Sequence, residues 1–182
     1  MKKDFHKDFH KFYKAAKAIT YVLVAIALYL LQTSVPILSI AGAKPLLLIP
    51  FIISLAMFES LTFTAVMSVF VGMLCDIVSA YTLGYYAMML IIICAIINII
   101  TQAYATPSIF NSLIVTAATI FLLQSIAFFF MYTIHDIDRL AHIYLKQVLP
   151  MCIYTIITTI PIFYMTKKIS NKFVVIENES EK

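Results

Sequence analysis

Between Lys17 and Lys167 this chain carries only three basic residues, Lys44, Arg139 and Lys146, and much of the intervening sequence is apolar for whole helix lengths at a time. No water-soluble core absorbs such a load. Of 182 residues, 63% are hydrophobic and 12% charged, more apolar surface than a soluble domain of this size can bury, so lipid has to act as solvent. The length suits one membrane domain with no room for a separate soluble one. The remaining lysines crowd the two ends: Lys2, Lys3, Lys7, Lys11, Lys14 and Lys17 at one, Lys167, Lys168, Lys172 and Lys182 at the other. With a net charge of +4, that distribution is an orientation signal and gives no indication of nucleic-acid binding.

The apolar runs divide the chain into three parts. Residues 1–17 are a basic segment with a short Lys-Asp-Phe-His repeat; Phe5, Phe9 and Phe12 share one side of a helix there, a pattern suited either to an interfacial amphipathic helix or to a frayed tail. Residues 18–168 hold six apolar runs, and 169–182 form a tail. The first run, 18–34, ends near Gln32 and is too long for a secretion-signal core. The second, 45–58, has about 14 residues, roughly 21 Å as a helix against a hydrocarbon core of roughly 30 Å. It either spans with help from its flanks or re-enters; Pro45 suits a first helical position and Pro50 predicts a kink. Glu59 marks its end. The third run covers 62–80, the fourth 85–102 with Asn98 and Gln102 on one side, the fifth 109–133, and the sixth 143–165 with Pro150 and Pro161 inside it. An even count puts both lysine-rich ends on one side of the membrane, and the positive-inside rule makes that side the cytoplasm.

One stretch stands apart: Phe70-Val71-Gly72-Met73-Leu74-Cys75-Asp76, followed by Leu83-Gly84. It contains two of the three glycines and the acid lying deepest in an apolar run. Ala65, Ser68, Gly72, Cys75 and Ser79 recur at three- and four-residue steps, which on a helix draws one narrow stripe of small side chains. Such a stripe lets a second backbone approach closely in a membrane. Asp76 adjoins it. An ionised carboxylate costs about 2.5–3.5 kcal/mol at mid-membrane, so it faces protein or water. Two readings stand: a hydrogen bond within the chain's own bundle that fixes the turn before Gly84, or a contact with a partner's helix.

Chemistry-bearing constellations are otherwise sparse. Cys75, Cys94 and Cys152 lie in apolar runs without a CxxC and read as packing residues. His6 and His10 have metal-ligand spacing but no third ligand nearby. The loop His135-Asp136-Ile137-Asp138-Arg139-Leu140-Ala141-His142 is the best metal or catalytic candidate by residue type; its plain reading is a solvated loop. HExxH, GxSxG and Gly-rich phosphate loops are absent, and Asp76 has no second intramembrane acid to pair with. The expectation is a chain with no catalytic residue, no cofactor and no metal.

The order of these features resembles the MreD family of rod shape-determining membrane proteins: small, six-span, with FxGxLxD followed after a short gap by LG. Here those positions are Phe70, Gly72, Leu74, Asp76, Leu83 and Gly84, with Leu30-Leu31-Gln32-Thr33-Ser34 closing the first helix and Leu149-Pro150 opening the last, Tyr154 following one turn on. Departures are Leu46 after Pro45, where an acid is common, Glu59-Ser60 where a glycine is common, and Thr155 where an asparagine is expected. The resemblance implies a six-helix bundle similar to the substrate-binding subunits of energy-coupling-factor transporters. It also implies a non-catalytic scaffold in cell-wall elongation that binds MreC and, through it, reaches MreB, RodA and a class B penicillin-binding protein. On that reading Ala65, Ser68, Phe70, Gly72, Leu74, Asp76, Ser79, Leu83 and Gly84 serve partner binding or helix packing. The rival is a vitamin importer's substrate-binding subunit. Its AxxxA docking motif is missing: Ala25 is followed four residues on by Tyr29, and Ala27 by Leu31.

Overall fold

The computed structural model describes residues 2–34, 46–78, 84–103, 107–135 and 140–180, with side chains described over 13–34, 46–78, 84–102, 107–129 and 150–174. These residues form six helices: α1 (Lys2–Ser34), α2 (Leu48–Phe58), α3 (Leu61–Val78), α4 (Tyr85–Ala103), α5 (Ile109–His135) and α6 (Leu140–Ser180). Four contain stretches long and apolar enough to cross a membrane, Tyr13–Ser34, Leu61–Val78, Tyr85–Gln102 and Ile109–Phe129. Each turns an apolar row outward: Leu23 and Leu30 on α1, Val66 and Met73 on α3, Met88 and Ile92 on α4, Phe110 and Phe121 on α5. Rows of that size suit lipid and not water.

The centre of the bundle is its shortest helix. α2 has 11 residues, about 16 Å of rise, and every residue from Leu48 to Met57 is buried. It packs against all five other helices. A helix that is apolar all round belongs inside, and that explains the second run: its shortness is accommodated because protein, not lipid, surrounds it. Its start differs from the sequence expectation. The helix begins at Leu48, leaving Pro50 in the first turn, where a missing N–H costs no intrahelical bond.

The outer helices are longer than expected. α1 runs unbroken from Lys2 and α6 continues through Pro150 and Pro161 to Ser180. At 33 and 41 residues they measure about 50 and 61 Å, beyond a hydrocarbon core of roughly 30 Å. The Lys-rich sequence past each apolar run contains good helix formers and no proline, so nothing stops the helix at the boundary. The two extensions meet: the Tyr13 hydroxyl donates to the Phe173 carbonyl, and the two rings stand edge-on with centroids 5.6 Å apart. Within the polar loop, α5 ends at His135 and α6 begins at Leu140. Residues 136–139 and the side chains of His135, His142, His6 and His10 lie outside the described ones.

Candidate functional site

Among the described residues α3 and α4 share the most extensive helix–helix interface, and Gly72, Asp76 and Gly84 are central to it. The first N–H groups of any helix have no partner within it. In α4 those are at Gly84, Tyr85, Tyr86 and Ala87, and Asp76 meets three of the four. Its Oδ2 accepts from the Gly84 N–H at 3.0 Å and the Ala87 N–H at 3.3 Å, and its Oδ1 from the Tyr86 N–H at 2.9 Å. Asp76 therefore caps α4 from the last turn of α3. A capping oxygen is usually supplied by the residue that begins the helix; here that residue is Gly84, which has no side chain. Gly84 has φ of +94°, the left-handed region glycine enters freely, while its carbonyl accepts the first intrahelical bond from Met88 at 3.0 Å. Negative charge at a helix N-terminus is further favoured by the helix dipole.

One turn before Asp76, Gly72 lies directly on Ala87. A Cβ on Gly72 would stand 2.3 Å from Ala87 Cα and 2.7 Å from its nitrogen, distances no carbon tolerates. The close backbone approach that the small-residue stripe anticipates is made here by α4 of the same chain. Ser68 is buried on that stripe, its hydroxyl donating to the Ala65 carbonyl at 2.8 Å, and Cys75 is buried there too. Phe70 and Leu74 are half-buried against the core. Ser79 and Leu83 lie outside the described residues.

A second polar cluster gathers on Glu59, which sequence reasoning took only as the end of a run. Its Oε2 pairs with Lys17 Nζ at 2.6 Å; its Oε1 accepts from the Tyr21 hydroxyl at 2.8 Å and the Ser170 hydroxyl at 3.2 Å. Its backbone carbonyl accepts from Asn98 Nδ2 at 2.7 Å. One buried residue thus ties the end of α2 to α1, α4 and α6. Lys17 and Glu59 each border an apolar run, but no local pattern in the sequence joins them.

The same logic closes α2, whose ends are buried where no water satisfies them. At its start, Leu46 N–H donates to Thr155 Oγ1 at 3.2 Å and Leu47 N–H to Gln32 Oε1 at 3.0 Å. At its finish, Asn98 Nδ2 donates to the Ala56 carbonyl at 2.8 Å as well as to Glu59, and Gln102 Nε2 donates to Asn98 Oδ1 at 2.8 Å. In hydrocarbon every backbone polar group must be met internally, and three side chains from three helices do that at the ends of one short helix, with Gln102 holding Asn98 in place.

This is the chemistry of holding helices. The Asp76 oxygens accept backbone N–H groups of α4, and the Glu59 carboxylate joins a lysine and a tyrosine of α1 to a serine of α6. Among the described residues no three His, Cys, Asp or Glu side chains come together as a metal site would require. The model of the family described as rod shape-determining protein MreD matches residues 14–173. The chain belongs to the MreD family. The matched segment takes in both polar clusters, from Lys17 through Asp76 and Gly84 to Ser170. MreD is a shape-determining family and not a known enzyme family, and with its long apolar helices this member is a membrane protein. No curated protein and no solved structure matches the chain.

Proposed function

We propose that this MreD-family chain is a non-catalytic scaffold of the bacterial cell-wall elongation machinery, maintaining rod shape by binding MreC and so coupling to MreB, RodA and a class B penicillin-binding protein. The observation that carries the proposal is the family match across residues 14–173. The geometry supports it: the interior carboxylates Asp76 and Glu59 are engaged in joining helices, which suits a rigid body that presents a surface to partners. On this reading the chain crosses the cytoplasmic membrane six times with both ends in the cytoplasm. The meeting of Tyr13 with Phe173 supports that, since it puts the lysine-rich ends of α1 and α6 at one end of the bundle.

The motif residues then act by packing. Gly72 and Asp76 set α4 against α3, and the partner's helix docks on outward residues such as Val69, Met73 and Ile77, which α4 leaves exposed. Depleting the protein from its host is expected to turn rods into spheres. A photo-crosslinker at position 73 or 77, in native membranes, is expected to capture a single-span protein with a periplasmic domain. Capture of a transporter subunit, or purification with a stoichiometric vitamin, would overturn the scaffold in favour of an importer.

A further inference from the structure

We propose that the lysines flanking the α1–α6 contact form a face that binds the phosphate head groups of anionic phospholipids. The proposal rests on this end of the bundle lying at a membrane surface and not on the shape-determining role. Lys14 directly follows Tyr13 and Lys172 directly precedes Phe173, so the ring contact between Tyr13 and Phe173 brings the two lysines to one level. Lys168 lies one turn before Lys172, with Lys167 beside it. All four are exposed. Lys17, by contrast, is occupied by Glu59.

Depth selects the ligand. On α1 the exposed apolar row starts at Ile19, just past Lys14; on α6 the row of Ile153, Ile157 and Ile160 ends with the exposed ring of Tyr164, one turn before Lys168. An aromatic followed by lysines at the edge of an apolar band is the arrangement of a head-group layer, where lysine stems lie along lipid and the ammonium reaches outward. Among the residues whose side chains are described, the acids are Glu59, buried against Lys17, and Asp76, buried at the far end of α3, so neither offsets these four lysines. Four ammonium groups at phosphate depth, on two helices held side by side, therefore face the lipid that surrounds them, and lysine binds phosphate as a point charge.

The test is native mass spectrometry of the full chain released from micelles containing equal phosphatidylglycerol and phosphatidylcholine. Phosphatidylglycerol is expected to be retained about tenfold over phosphatidylcholine, each lysine contributing up to ~5-fold. The variant K14Q/K167Q/K168Q/K172Q is expected to fall to near parity. The matching arginine variant, which keeps the charge, and K146Q, whose change lies near the opposite end of α6, are both expected to retain the preference. Parity in the unmodified chain, or an undiminished preference in the glutamine variant, would sink the proposal. Loss of the preference on adding millimolar inorganic phosphate at constant ionic strength would reassign the face to free phosphate. Loss of a co-purifying acidic protein in the glutamine variant, with lipid preference intact, would reassign it to a protein partner. Cell shape is not read in this experiment, so its failure and that of the elongation role are separable.

Discussion

Gly72 and Ala87 touch backbone to backbone: a Cβ on Gly72 would fall 2.3 Å from Ala87 Cα. Ala87 is also one of the three residues whose N–H groups bind Asp76. Two residues one turn apart on α3 thus address the same residue of α4, Gly72 by yielding space and Asp76 by supplying charge. Neither contact forms well without the other, because the carboxylate reaches the Ala87 N–H only when the helices are this close.

Enlarging position 72 should therefore separate the helices. Gly72→Ala is expected to lower stability by about 1–3 kcal/mol, the range for overpacking a tight contact, and Gly72→Leu to abolish the folded protein. Met73→Leu, on the outward face, should be near neutral. Thermal unfolding in detergent, with membrane abundance as a second readout, decides it; a Gly72→Leu protein that melts like the parent would refute the contact.

Removing the Asp76 carboxylate leaves three helix-start N–H groups without their acceptor. Asp76→Ala is expected to cost about 1–3 kcal/mol and Asp76→Asn less, since one amide oxygen still accepts. Hydrogen exchange locates the effect: the Gly84, Tyr86 and Ala87 amides should lose protection while the middle of α4 keeps it. Unchanged protection at those amides in Asp76→Ala would contradict the cap.

For Lys17 and Glu59, a double-mutant cycle is the informative measurement. Removing one partner of a fully buried ion pair costs about 3–5 kcal/mol. Lys17 retains 17% side-chain exposure, so roughly 1–3 kcal/mol is expected for Lys17→Met or Glu59→Gln alone. The double variant should be less destabilised than the sum, because neither charge is left unpaired. Strict additivity would mean that the two residues do not interact.

Thr155→Val keeps the shape and removes the oxygen that accepts from Leu46. A loss of about 1–2 kcal/mol is expected, with Thr155→Ser close to neutral. Thr155→Asn, which offers another acceptor, should be tolerated better than valine. Gln32→Leu should destabilise similarly through the Leu47 N–H. If valine at 155 matches the parent in unfolding experiments, the start of α2 is satisfied in some other way.

Features legible before the fold were those carried by neighbours in the chain. The Gly72–Asp76 step of four, the short gap to Gly84 and the Asn98–Gln102 pair all express a helix or a hairpin, so spacing alone described them. Glu59 was not legible in this way. Its partners Lys17, Tyr21 and Ser170 come from opposite ends of the sequence, and nothing in a local pattern joins them. Gln32 and Thr155 read as helix-end and mid-helix polar residues until α2 placed Leu46 and Leu47 against them. Ser79 and Leu83, expected with the motif, fall outside the described residues.

Sequence by itself determined that the chain is helical, that its solvent is lipid and where its lysines gather, because hydropathy and period are properties of each segment alone. Tertiary structure decided which segment is the centre. α2 looked like a deficient span, and it became the core because the surrounding helices shelter it from lipid and polar side chains from α1, α4 and α6 satisfy its ends. Hydrocarbon makes each unmet N–H or carbonyl costly, so the buried polar residues are matched to helix ends that only the assembled bundle brings within reach.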